Sequence, residues 1–244
     1  MRSRRSWGSG DEADAVCSAP LLAMTALLYA ADTLRLCDGD AFAAALASVS
    51  EERRERVMRL HFDKDKRLCV AAELLLRRAL RDFGCTAEPV TVLGEFGKPY
   101  LRDAHGVYFN LSHSGDHVLC AVADRECGCD IERLRPAELR VAKRFFHPSE
   151  YALLSSKATA EEQNELFFRL WTLKESYVKA SGRGLSMPFD SFALCPGAAG
   201  VSVSVSADGV PRSLFEYGDI DSFRCALCIE GVAEAAPELV TVPI

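Results

Sequence analysis

The chain has 244 residues, 26% of them charged and 49% apolar, with a formal net charge of −6. This is the composition of an ordinary soluble protein, long enough for one compact unit or two fused halves. The acidic balance gives no sign of nucleic-acid binding, so any anion site must come from a local basic patch.

Residues 1–20 read as a disordered extension. Its basic start, followed by the apolar stretch Ala19–Ala31, has the outline of a signal peptide, but Asp11, Glu12 and Asp14 interrupt it. Thr25–Leu36 reads equally well as a first core strand. No apolar run approaches the roughly 18 residues that span a bilayer, so no membrane association is expected. Ala41–Ser48 and Ser50–Phe62 follow as helical stretches, the second with a serine cap and acids in its first turn. Lys66–Phe83 is a long amphipathic helix. Val90–Leu93 is a short strand, and Gly94–Tyr100 is turn-rich. Val107–Ser112 and His117–Ala123 alternate like the arms of a hairpin.

Cys127–Glu132 reads as a strand. Ala137–Phe146 and Ser149–Ser155 read as helices. Glu162–Ser181 is a second long helix, which Gly182 stops. Phe192–Leu194, Val201–Ser206, Leu214–Tyr217 and Ser222–Glu230 are strands, and the tail after Gly231 is expected to be loosely held. The element order predicts an α+β fold. Its two similar halves are related by pseudo-two-fold symmetry, each a small antiparallel sheet packed on a long helix, with the site between them. The ten cysteines lie mostly in apolar runs, which points to buried free thiols in a reducing, cytoplasmic compartment. Cys225-x-x-Cys228 is half of a zinc pattern with no second half of suitable spacing.

The chemistry centres on a split acidic site. Asp130 and Glu132, two apart on a strand, point to one face. Trp171, Glu175 and Lys179, four apart on a helix, form one stripe. Three carboxylates meeting at one place repel each other unless a cation sits among them. A hard divalent ion such as Mg²⁺ prefers such oxygens together with those of a phosphate, and Lys179 then suits the phosphate. Taken singly, each motif also reads as a solvated strand face or an exposed Glu/Lys helix pair. Phe109-Asn-Leu-Ser112-His113-Ser offers hydroxyl, imidazole and turn N–H donors to an anion, and equally forms a polar turn. Gly97-Lys98-Pro99 holds a lysine in a fixed loop. Arg67, with Lys64 and Lys66, opens the first long helix.

In this order, and together with Arg144-Phe-Phe-His-Pro-Ser-Glu150-Tyr and Gly182-x-Gly184-Leu-Ser, these motifs resemble the 4′-phosphopantetheinyl transferases of the larger, surfactin-synthetase-activating type. The resemblance covers roughly residues 50–195. It implies transfer of phosphopantetheine from coenzyme A to a serine of an apo acyl or peptidyl carrier protein, releasing adenosine 3′,5′-bisphosphate. Asp130, Glu132 and Glu175 match the ligands of Mg²⁺, with Mn²⁺ as an alternative ion. Lys179 matches a pyrophosphate contact, Ser112 and His113 contacts to the coenzyme A phosphates, and Lys98 a contact near the nucleotide. Arg67 lies near a position used for the 3′-phosphate.

Asp130, Glu175 and Lys179 are the expected catalytic residues. Glu175 is the candidate base, directly or through a metal-bound water. Residues 21–126 form the expected N-terminal, coenzyme A-binding half. Residues 127–244 form the C-terminal half with the acids and the catalytic helix. The protein is expected to be a monomer. Arg140, Lys143, Arg144, Phe145 and Phe146 are candidates for receiving the acidic carrier. Two other readings stay open: a non-catalytic coenzyme A-binding protein, and another Mg²⁺-dependent phosphoryl-transfer enzyme.

Overall fold

The computed structural model describes residues 25–103, 106–197, 200–205 and 207–244. The expected extension at residues 1–20, with Cys17, lies outside the described residues.

The architecture is α+β. The first half opens with β1 (Ala26–Asp32), followed by α1 (Gly39–Ser48), α2 (Glu51–Arg59) and α3 (Asp63–Asp82). Asp38 and Ser50 cap α1 and α2 by accepting from the backbone N–H groups of Ala41 and Arg53. On α3 the residues Leu68, Ala71, Leu75 and Ala79, at three- and four-residue spacing, are all buried against the sheet. The hairpin of β2 (Thr91–Leu93) and β3 (Pro99–Leu101) comes next. It is followed by the predicted pair β4 (Tyr108–Ser114) and β5 (His117–Ala123).

The second half begins with β6 (Cys127–Arg133), α4 (Leu139–Phe145), α5 (Pro148–Ser155) and α6 (Ala160–Ser181). A reciprocal capping box between Thr159 and Glu162 starts α6, and Gly182, in the left-handed conformation at φ 68°, ends it. The hairpin of β7 (Ala193–Gly197) and β8 (Gly200–Val205) precedes β9 (Arg212–Tyr217), β10 (Phe223–Glu230) and β11 (Leu239–Thr241).

In each half one strand, short helices, one long helix, a hairpin and two strands follow in the same order. The antiparallel strand orders β1-β5-β4 and β6-β10-β9 correspond to this sequence. The expectation for the tail is corrected. β11 crosses back to the first half and pairs parallel with β1, Leu28 opposite Leu239. That sheet is therefore mixed, not purely antiparallel. Val242 enters the core under α3, and Tyr217 donates to the Pro237 carbonyl at 2.8 Å. Burial of these apolar side chains outweighs the entropy of a free tail.

Three apolar cores result. One lies between α3 and the first sheet, one under α6, and one between the two sheets, where Leu28 and Leu119 meet Ile131 and Leu227. β4 runs beside β6, and the Asn110 side chain accepts from the Cys129 N–H at 2.9 Å. The nine described cysteines are free. Cys225 and Cys228 enter different cores from opposite faces of β10, so they do not share a metal.

Candidate active site

Close backbone approach builds the site. A Cβ on Gly128 would lie 2.2 Å from the Ser176 carbonyl oxygen and 2.3 Å from the Ala180 nitrogen. Only glycine lets β6 lie this tightly against α6. The contact brings Asp130 and Glu132, on alternate positions of β6, beside Glu175 and Lys179, one turn apart on α6. Ile131 points the other way, into the core between the sheets.

Lys179 Nζ donates to Asp130 Oδ1 at 2.6 Å, to Ser112 Oγ at 3.0 Å and to the Cys129 carbonyl at 3.3 Å. Ser112 in turn donates to Asp130 Oδ1 at 2.8 Å. Asp130 Oδ2 is buried and has no hydrogen-bond partner among the described residues. Ser114 donates to Glu132 Oε2 at 2.9 Å and accepts from the Arg133 N–H at 3.1 Å.

Burial pushes the Asp130 carboxyl up, against the lowering influence of Lys179 and Ser112. Burial, then the charge of Asp130, raises Glu132 and Glu175 as well. On Lys179 burial acts to lower the pKa, but the Asp130 carboxylate outweighs it and the group stays raised.

Three acids held above their ordinary range, one with an orphaned buried oxygen, make a hard-oxygen donor set suited to a divalent cation. In the arrangement seen, Asp130 turns to Lys179 and Ser112, and Glu132 turns to Ser114. Among the described residues no three His, Cys, Asp or Glu side chains converge as a finished metal cluster.

The other expected residues are placed differently. Lys98 is not a loop lysine offered to solvent. Its side chain is 6% exposed, and its ammonium donates to Glu126 at 2.6 Å and to the carbonyls of Cys127 at 2.9 Å and Ala180 at 3.4 Å. His113 is exposed and, as the next residue along β4, projects from the face opposite Ser112 and Ser114. Strand alternation carried that signal in the sequence, and it also pairs Ser114 with Ser112 on the acidic side. Arg67 sits in the first turns of α3 with a buried Nε that has no partner among the described residues, and no hydrogen bond or ion pair there joins it to the acids.

Lys174, just before Glu175, is fully buried. It donates to Glu150 at 2.8 Å and to the Phe192 carbonyl at 2.9 Å, and lies 4.0 Å from the Phe192 ring centre. Burial pulls its pKa down to about 8, against the pull of Glu150. The pair anchors α6 to α5 and β7, one residue from Glu175.

An open cleft of about 640 Å³ lies beside Glu175 and Lys179, lined in part by Trp171, Val178, Met187, Phe189, Arg144 and Phe145. Of the expected carrier-facing residues, Arg140, Lys143, Arg144 and Phe145 are exposed. Phe146 is buried and stacked on Phe167 at 5.5 Å, so it belongs to the core.

Residues 126–228 match the family model described as the 4′-phosphopantetheinyl transferase superfamily. Residues 38–125 match the one described as 4′-phosphopantetheinyl transferase, N-terminal. The chain is 33% identical over 186 residues to 4′-phosphopantetheinyl transferase Sfp of Bacillus subtilis, covering 75% of this chain and 83% of the relative. It is 33% identical over 184 residues to 4′-phosphopantetheinyl transferase gsp of Aneurinibacillus migulanus, covering 75% of this chain and 76% of the relative. A solved Thermotoga maritima holo-[acyl-carrier-protein] synthase is 21% identical with a TM-score of 0.37, covering 43% of this chain and 62% of that one, which is too slight a likeness to build on. The chain belongs to the 4′-phosphopantetheinyl transferase superfamily, among its larger, Sfp-like members.

Proposed function

We propose that the protein transfers the 4′-phosphopantetheine group from coenzyme A to a serine of an apo carrier protein. The carrying observation is the buried Asp130, hydrogen-bonded to Lys179, with Glu132 and Glu175 raised first by burial and then by the charge of Asp130. A module that only binds coenzyme A has no use for all three acids. The relatives named above carry the transferase activity in their names.

Asp130, Glu132 and Glu175 would hold Mg²⁺, or Mn²⁺ in its place. When bound, the ion supplies neutralising charge for the pyrophosphate. Lys179 sets a point charge beside those oxygens, and Ser112 supplies a hydroxyl. The carrier serine Oγ bonds to the β-phosphorus of coenzyme A. The bond from that phosphorus to the bridging oxygen breaks, and adenosine 3′,5′-bisphosphate leaves. The serine proton passes to Glu175, whose carboxyl burial raises above its ordinary value. His113 is proposed as an exposed donor to the coenzyme A phosphates from edge strand β4. The unpartnered Nε of Arg67 supports a contact to the 3′-phosphate.

Residues 21–126 are proposed as the coenzyme A-binding half and residues 127–244 as the half with the acids and the catalytic helix. The repeated element order supports a pseudo-two-fold relation between them. The carrier would dock on the cleft beside Glu175, where Arg144 meets acidic side chains. A site built within one chain supports a monomer, and the free cysteines support a cytoplasmic setting. Among the described residues no helix is long and apolar enough to cross a membrane.

The test is chromatographic release of adenosine 3′,5′-bisphosphate from coenzyme A, Mg²⁺ and an apo carrier. Asp130→Ala and Glu175→Ala are expected to stay folded and release none. Wild-type turnover in either variant rejects the site.

A further inference from the structure

Lys98 sits where two structural ends meet. Its ammonium has three protons, and Glu126, the Cys127 carbonyl and the Ala180 carbonyl take all three. Cys127 opens β6, three residues before Asp130. Ala180 directly follows Lys179 in the last turn of α6, where the helix leaves its carbonyls unsatisfied and favours a cation.

The lysine is delivered from the first half by a tight turn. Gly97, at φ 82°, donates to the Gly94 carbonyl at 3.0 Å, and the Gly94 N–H donates to the Lys98 carbonyl at 2.8 Å. Tyr100, on the same turn, closes over the end of α6. A Cβ on Gly182 would lie 3.0 Å from the Tyr100 hydroxyl and 3.6 Å from Lys98 Cδ.

We propose that Lys98 is a positioning residue. It locks the end of α6 to the start of β6, and so fixes the spacing between Asp130 and Glu132 on one element and Glu175 and Lys179 on the other. It does this without touching a substrate phosphate. The proposal rests on the acids being the cation and pyrophosphate site. Reaching a phosphate would require the ammonium to leave three partners and a site that is almost closed to solvent. The turn over residues 94–100 thereby joins the first half to the catalytic geometry of the second.

The experiment compares the full chain with Lys98→Met and Lys98→Arg. It uses thermal melting for the fold, calorimetric coenzyme A affinity in EDTA, and Mn²⁺ affinity by electron paramagnetic resonance. Lys98→Met is expected to keep coenzyme A affinity within about twofold and to lose about tenfold in Mn²⁺ affinity, with Lys98→Arg recovering most of it. Coenzyme A affinity falling about tenfold with Mn²⁺ affinity intact would make Lys98 a phosphate contact and overturn the proposal. Both affinities unchanged would overturn it too. If Lys98→Met does not fold, Glu126→Gln is measured in the same way: weakened Mn²⁺ binding with coenzyme A binding kept supports the lock, and unchanged Mn²⁺ binding rejects it. A wild-type chain that binds neither coenzyme A nor Mn²⁺ rejects instead the assignment of the acids on which the proposal stands.

Discussion

Lys179 reaches Asp130 across 49 positions of sequence, its ammonium 2.6 Å from Oδ1. The Asp130 side chain is only 5% exposed, so this cation is its main electrostatic support. Lys179→Met should abolish transfer. It should also cost about 3 kcal/mol at neutral pH, because it leaves a buried carboxylate unpaired. Adding Asp130→Asn should return much of the stability and none of the activity. Urea unfolding of the single and double variants checks this.

Asp130, Glu132 and Glu175 are raised by burial first and, for the two glutamates, by the charge of Asp130 next. Between the unfolded carboxylate values, near about pH 4, and the raised folded ones, the folded state holds more protons than the unfolded state. The contribution of these three acids to stability without metal is therefore fullest at low pH and falls as pH rises through that window. Glu175→Gln removes part of the fall. In EDTA at neutral pH it should melt above wild type, by roughly 2–4 °C for each kcal/mol recovered. The two melting curves should converge toward about pH 4. An equal or lower neutral-pH melting point for the variant contradicts the electrostatic account.

Gly128→Ala places a methyl group against backbone atoms of α6 at 2.2 and 2.3 Å. Neither strand nor helix backbone yields cheaply, so β6 and α6 must separate. The expected cost is roughly 4 kcal/mol or more, with transfer lost. Ordinary thermal stability in this variant would show that the close approach is not required.

The buried Lys174–Glu150 pair gives a further test. Glu150 also accepts from the N–H groups of Leu194 at 2.8 Å and His147 at 3.0 Å. Lys174→Met should destabilise by about 3–5 kcal/mol, since it leaves a buried charge. Lys174→Met combined with Glu150→Gln should recover part of that, because the amide oxygen still accepts. Chemical denaturation separates these cases from a surface pair, whose loss would cost less than about 1 kcal/mol.

Local pattern made much of this legible. The apolar spacing and Gly182 mark out α6, though its start at Ala160 lies two residues before the expected Glu162, and the i, i+2 acids mark out one face of β6. Alternation marked out the β4–β5 pair as well, yet applying it one step further would have separated His113 from Ser112. What sequence could not show depended on distant partners. Lys98 reads as a loop lysine until Ala180, 82 positions away, is placed beside it. Lys174 finds Glu150 on another helix. β11, three residues long and just after a proline, carries too little periodicity to be read as a strand, and its place is fixed by pairing with β1.

The most direct measurement is the intact mass of an apo carrier protein incubated with the full chain, coenzyme A and Mg²⁺, beside an EDTA control. The account predicts a covalent gain of roughly 340 Da, one phosphopantetheine group, that EDTA abolishes. No gain across fatty-acid, polyketide and peptide carriers, with coenzyme A still bound, would contradict it and leave a binding protein.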